Sequence, residues 1–374
     1  VRRDGSIPLG RVGGIPITVS SSFLILALFI TFAYGATADT WSADLDGGRG
    51  YLLAAVFAVL LGVSILLHEL GHALVGRSLG LQVTSIQIYL LGGVSQVESP
   101  RRPRESFAVS IIGPLVSAVL AVAAWYAHRH LEPNTPAWVL AVSLAWSNGS
   151  VAILNMLPGL PLDGGWVLAA GVWAATGDRV RSIIVGGWVG RVVAVAIAIF
   201  VIARAATGQD VGDSLYLPIG LLVAWYLWSN ASSSLGWAQS RQSWSRLDAR
   251  RLVAPVAMAH RQTTVAEAVQ TARRVGARAI CVLDDDLRIV GVVQDATIGQ
   301  LPSAQWGVYV VGQLASTPPA LAAADVADGE RLRDAIARAP APGYLVLHPD
   351  GSPGGFLVTQ DVIDALAHAR GAAA

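Results

Sequence analysis

A long, almost wholly apolar run from residue 51 leads into Leu67-His68-Glu69-Leu70-Gly71-His72 and on to residue 77. Apolar runs of this length make most of a bilayer span. Ionisable groups at that depth are costly and mark function by default. Histidines four apart on a helix share one face, so the rings of His68 and His72 can reach a single zinc ion. Glu69 lies beside them, where its carboxylate can take a proton from an activated water.

Composition supports the membrane setting. Mean hydropathy is +0.54, 53% of the chain is hydrophobic and 14% is charged, which is too oily for an ordinary soluble enzyme. The net charge of +1 gives no reason to expect nucleic acid. Cys281 is the only cysteine, which excludes an internal disulfide and a cysteine-based zinc cluster.

In chain order, apolar patterning predicts a multi-pass α-helical membrane protein with six transmembrane helices, at about 19–38, 51–77, 107–127, 137–157, 185–205 and 214–231. The first run is not read as a signal peptide, because no small-residue cleavage pattern follows it. Trp41, Trp138, Trp188 and Trp228 near the predicted helix ends fit an aromatic belt. Residues 83–98 alternate and are β-rich, and a Gly92-Gly93 turn predicts a membrane-associated β-hairpin. Such a hairpin must pack on protein or sit at the water interface. Its edge is either plain scaffold or a place where an extended peptide adds as a strand, with Gly92 and Gly93 as substrate contacts.

Loop charges give an orientation. The N-terminus, residues 77–105, residues 176–184 and everything after 232 fall on one side and carry nearly all the arginines. The opposite loops hold Asp39, Asp44, Asp46, Asp210 and Asp213. Both ends are therefore expected in the cytoplasm, in a cell (inner) membrane. His68 then lies about 26 Å into a helix entering from outside, in the cytoplasmic third of the bilayer. The helix over 137–157 ends on the same side, in Asn155-Met156-Leu157-Pro158-Gly159-Leu160-Pro161-Leu162-Asp163-Gly164-Gly165. Prolines and glycines break it there and leave Asp163 at the membrane edge. Two histidines and an aspartate at one depth match a three-ligand catalytic zinc with an open fourth position.

These two segments resemble the site-two protease family of intramembrane zinc metalloproteases, over roughly residues 10–230. The resemblance implies a zinc-dependent endopeptidase cutting transmembrane segments. It makes His68, His72 and Asp163 the ligands of one Zn2+, Glu69 the general base, and Asn155 a contact to substrate or oxyanion. The Gly92-Gly93 hairpin and the Gly113-Pro114 helix also resemble family features. Ser117 stands where many relatives carry asparagine, and Ser20 where many carry histidine. The family further suggests a single-span membrane substrate such as an anti-sigma factor.

After about residue 239 the chain turns polar, with a linker over 239–251. Residues 252–304 read as strand-helix-strand-strand-helix, and 305–374 repeat that order, which predicts a pseudo-symmetric α/β pair. The copies resemble tandem cystathionine-β-synthase (CBS) domains. That likeness implies regulation, an adenine nucleotide with Asp361 on its ribose, and pairing of two chains into a homodimer. The first copy has Thr297 in place of that aspartate, and Gln294 and Val358 stand where a Ser or Thr is usual. The competing reading is a packing or dimerisation module without a ligand. For the whole chain, the alternative to a protease over 1–238 is a CBS-gated metal transporter that passes ions through His68, His72 and Asp163.

Overall fold

The computed structural model describes residues 6–37, 48–89, 92–207, 216–245 and 247–371. The acidic loops with Asp39, Asp44, Asp46, Asp210 and Asp213, together with Trp41 and the Leu90-Leu91 segment, lie outside the described residues. The chain divides into two compact units, Val1–Ala238 and Gln239–Ala374.

The first unit is built from β1 (Ile7–Val12), β2 (Ile15–Val19), α1 (Ser21–Gly35), α2 (Gly48–Ser78), β3 (Val83–Tyr89), β4 (Gly92–Val97), α3 (Pro103–His128), α4 (Pro136–Asn155), α5 (Asp163–Thr176), α6 (Arg179–Ala206) and most of α7 (Tyr216–Ser245). Four of these, α2, α3, α4 and α6, are long and apolar enough to cross a membrane. Helix α1 is apolar but only 15 residues long; Val19, at the head of the expected first span, belongs to β2, and the helix ends at Gly35. Helix α7 has 30 residues, with Ser, Asn, Gln and Arg through its second half.

The four strands form one sheet in the order β1-β2-β3-β4. The lead-in over 7–19 is thus a hairpin of its own, which the sequence reading did not foresee. Gly13 and Gly14 both take positive φ, +57° and +85°, the requirement of a tight hairpin turn matching strand twist. Ile15, Ile17 and Val19 alternate inward, and the first two pack with Ile86 against Ala73 of α2. The expected Gly92-Gly93 turn is corrected. Both residues lie within β4, paired with Tyr89 and Ile88, because the cross-strand ladder runs on through them.

Between α4 and α5 the Pro/Gly-rich segment folds against α6. Leu160 is fully buried, and its N–H donates to the Gly186 carbonyl at 3.0 Å. A Cβ on Gly190 would stand 2.1 Å from the Leu160 carbonyl oxygen, so this close approach requires glycine. The segment delivers Asp163 as the first residue of α5.

In the second unit, α7 runs on to Ser245, so the expected linker is helical in its first half. No proline falls within residues 239–245, and Trp244 packs on the hydrophobic cluster of Tyr344, Leu332 and Leu357. There follow β5 (Val253–Ala254), β6 (Val256–His260), α8 (Val265–Val275), β7 (Ala279–Leu283), β8 (Ile289–Gln294) and α9 (Asp295–Gly299). The second copy has α10 (Val311–Leu314), β9 (Ala320–Ala322), α11 (Ala323–Val326), α12 (Gly329–Arg338), β10 (Gly343–Leu347), β11 (Pro353–Val358) and α13 (Thr359–Gly371). One sheet is ordered β6-β7-β8 and the other β5-β11-β10-β9. Strand β5 therefore pairs with the second copy although it precedes the first. Both hairpins break register at the same place, Val282/Leu283 and Val346/Leu347.

Alternation along β7 divides the core. Ile280 and Val282 face α8, while Ala279 and Cys281 face Leu345 and Phe356 of the second copy. Burial pushes the Cys281 thiol up to about 11, so it is a small core residue rather than a reactive one.

Candidate metal centre

Helix α2 buries His68, Glu69 and His72 along one side, as the four-residue spacing requires. The Asp163 carboxylate arrives from the start of α5. His68 Nε2 lies 3.2 Å from Asp163 Oδ2, His72 Nε2 lies 3.3 Å from the same oxygen, and the two Nε2 atoms are 3.2 Å apart. Nitrogen and oxygen ligands at zinc distances define a tetrahedron with edges of about 3.3 Å. The triangle has that size, and these three groups form a potential metal cluster among the described residues.

The imidazoles are also turned correctly. His72 Nδ1 donates to the Val109 carbonyl at 2.6 Å, which leaves Nε2 with a free lone pair in the neutral ring. His68 Nδ1 is 2.9 Å from Ser117 Oγ, which orients the second ring in the same way. Ser117 is almost fully buried, so the residue that departs from the usual asparagine still contacts a candidate ligand.

Two glycines leave room for the centre. A Cβ at Gly113 of α3 would stand 2.2 Å from His72 Nε2 and 2.6 Å from His68 Nε2. A Cβ at Gly93 of β4 would stand 2.3 Å from Glu69 Cγ. Strand β4 also grips Glu69 directly, since the Ser95 hydroxyl lies 2.6 Å from Glu69 Oε2 and 3.0 Å from its backbone carbonyl. Sequence reasoning gave Ser95 no role, and alternation in β4 was the one signal that could have placed it on the side of Gly93.

Two cavities meet at the triad. One, of about 360 Å³, is lined by Glu69, His72, Ser106, Ser110, Asp163 and Arg179 among others. The other, of about 450 Å³, is lined by His68, Glu69, Gly92, Gly93, Asn155 and Asp163 together with Asn148 and Tyr226. The structure thus brings His68, Glu69, His72, Asp163, Asn155, Gly92 and Gly93 to one place. Asp361 belongs to the other unit, where its carboxylate is held by Arg278 at 2.5 Å.

Residues 56–132 match Peptidase family M50. A Synechocystis protein, sll0528, provisionally named a zinc metalloprotease, is 29% identical over 97% of this chain and 96% of its own length. Rip3 of Mycobacterium tuberculosis, with the same provisional designation, is 32% identical over 69% of this chain and 63% of its own. Among solved structures, a site-2 protease from Methanocaldococcus jannaschii aligns at 22% identity and TM-score 0.43, over 62% of this chain and 95% of that one. The CBS domain of a bacterial CNNM/CorC family Mg2+ transporter aligns at 17% identity and TM-score 0.28, over 34% of this chain and 82% of that one.

Proposed function

We infer, for a chain that carries a peptidase family M50 domain, a zinc-dependent endopeptidase that cuts the transmembrane segments of membrane-anchored proteins. The observation that carries this reading is the triangle of His68 Nε2, His72 Nε2 and Asp163 Oδ2, with edges of 3.2–3.3 Å, and the Glu69 carboxylate on the next residue of the same helix. In this reading His68, His72 and Asp163 hold the ion. When bound, zinc supplies Lewis acidity toward a water and toward the scissile carbonyl.

The protein's own groups do the rest. Glu69 takes the water's proton and passes it to the leaving amine, with Ser95 holding its Oε2 in place. Asn155, on the wall of the second cavity, donates to the oxygen on which charge develops. The free edge of β4, at the end of the sheet order, pairs with a locally unwound substrate, and Gly92 and Gly93 allow its backbone to come close. Ser106, Ser110 and Arg179 make the first cavity polar, a route for water to a lipid-flanked centre.

The same reading takes α1 and α7 as further spans beside the four apolar helices, giving six, with both termini in the cytoplasm and the hairpin of β3 and β4 at the membrane. It takes a single-span regulator of the anti-sigma type as the substrate. The second unit acts as a CBS pair that modulates cleavage and joins two chains. An adenine nucleotide there would displace Arg278 from Asp361.

The test is a comparison of membrane-protein fragments with wild type and Glu69→Gln. Cleavage should fall by about 10²–10⁴-fold, the usual worth of a general base, while bound zinc stays equimolar. Metal transport that survives Glu69→Gln, with no fragment lost, would instead indicate a transit site.

A further inference from the structure

A second polar centre lies on α6, away from the zinc triad. Arg191 projects from an apolar helix long enough to cross the bilayer. Its Nε and one terminal nitrogen both lie 3.1 Å from Ser232 Oγ of α7. Its guanidinium carbon sits over two indoles, 4.9 Å from the Trp188 ring centre and 5.0 Å from that of Trp228. Among the described residues no carboxylate is within ion-pair reach of it. The Ser232 hydroxyl is in turn spent on the Trp228 carbonyl at 2.7 Å.

The positive charge is therefore fixed in position and, among the described residues, not neutralised. A guanidinium in a low-dielectric setting requires an anion or water, and this one has donors left over after its bonds to Ser232. Trp188 and Trp228 are 54% and 43% exposed, so the cluster opens outward rather than toward the interior of the unit. Residues 192–203 carry no charge at all before Arg204, and thirteen rises of helix separate the two arginines by about 20 Å. With a hydrocarbon core about 30 Å thick, both arginines lie within snorkelling distance of opposite surfaces. Indole rings favour that same headgroup level.

We propose that Arg191, Trp188, Trp228 and Ser232 form a binding site for the headgroup phosphate of an anionic phospholipid. Arginine matches a phosphate through paired N–H donors. The two indoles hold the guanidinium plane and shield its faces from acyl chains. The site lies one residue from Gly190, which backs the Leu160 carbonyl, so the lipid would sit behind the segment that delivers Asp163.

The experiment uses the full chain reconstituted in nanodiscs of phosphatidylcholine with a minor fraction of phosphatidylglycerol, then released for native mass spectrometry. Wild type should retain phosphatidylglycerol in preference to phosphatidylcholine. Arg191→Gln should retain about tenfold less of it, as expected for loss of a charge-assisted contact, and Arg191→Lys an intermediate amount. Equal retention by wild type and Arg191→Gln would overturn the proposal, as would displacement of the retained lipid by excess inorganic phosphate. Unchanged retention with lowered cleavage in Arg191→Gln would also overturn it, in favour of a substrate contact. A measurement on wild type alone guards against a misfolded variant. Brominated phosphatidylglycerol should quench tryptophan fluorescence more than brominated phosphatidylcholine, and equal quenching would sink the site.

Discussion

The two units solve the problem of an interior in opposite ways. Apart from the Cys281 thiol and the Tyr344 hydroxyl, which bonds the backbone of Ala339 and Ala341, every buried polar or charged side chain among the described residues belongs to the first unit: Ser20, Ser64, His68, Glu69, His72, Ser106, Ser110, Ser117, Asn148 and Ser182. Its outside is apolar, with Ile25, Val59, Val119, Ile153 and Phe200 among many exposed large side chains. The second unit is the reverse, with Tyr344, Leu332, Val282 and Phe356 inside and its ion pairs at the surface. A chain in lipid gains little by burying hydrocarbon, so its interior is free to hold polar groups. A chain in water needs its interior apolar for stability. The first interior is therefore read as serving chemistry and the second as serving the fold.

The sharpest break of that comparison is Gly113→Ala. The added Cβ would sit 2.2 Å from His72 Nε2, where the candidate ligands converge. Zinc affinity should fall by about 10–100-fold or more, as when the surroundings of a ligand are disturbed, and cleavage with it. Metal analysis of the purified variant checks the first, and hydrogen exchange should show the second unit unaltered. Full zinc occupancy in Gly113→Ala would remove this glycine from the account.

Leu332→Ala asks the opposite question. This fully buried side chain packs within a hydrophobic cluster, so its truncation should cost about 2–5 kcal/mol. Hydrogen exchange in 320–366 should rise accordingly while zinc content stays constant. Loss of zinc in Leu332→Ala would show that the two interiors are not separable in function.

Ser95→Ala has a smaller effect and tests the first interior from its edge. It removes the hydroxyl that lies 2.6 Å from Glu69 Oε2, and a hydrogen bond to a charged group is worth about 1.5–3 kcal/mol. Turnover should fall at least about tenfold with zinc content unchanged, and Ser95→Thr should recover part of it. A loss of zinc equal to the loss of turnover would make Ser95 structural rather than positioning.

What could be read from the sequence follows from how local its causes are. The His68–His72 spacing fixes both rings on one helical face whatever surrounds them. Pro158, Gly159 and Pro161 end a helix by backbone geometry alone, and Asp163 follows from that break. In the second unit, Thr264 accepts the Glu267 N–H as an N-cap, and a threonine followed three residues later by a glutamate is a local helix-start pattern. Non-local contacts were not legible. The Gly-Gly hairpin signal was sound chemistry at the wrong pair, since Gly13-Gly14 make such a turn while Gly92-Gly93 are strand. Only the three-dimensional approach of α3 and β4 reveals why residues 113 and 93 lack side chains. Likewise β5 joins the sheet of the second copy because Val253 and Ala254 find partners in Leu357 and Phe356, a pairing that no local pattern encodes.

The smallest predicted effect lies at the surface of the second unit, where polar groups belong in water. In the turn between β10 and β11, Asp350 Oδ1 accepts the Ser352 hydroxyl at 2.6 Å and the Ser352 N–H at 2.9 Å. These bonds hold the Asp350 carboxyl below its ordinary value. A group whose pKa is lower folded than unfolded favours the fold above its unfolded value, and that contribution disappears as pH falls through the lowered folded value. The effect is therefore confined to acid below the ordinary carboxylate range and is absent at neutral pH. Ser352→Ala removes the hydroxyl donor, so the Asp350 titration followed by carboxyl carbon NMR should move upward. Stability at neutral pH should remain within the scatter of ordinary surface changes. A downward shift, or a neutral-pH loss as large as that of Leu332→Ala, would contradict the division between a surface that carries charge and a core that carries stability.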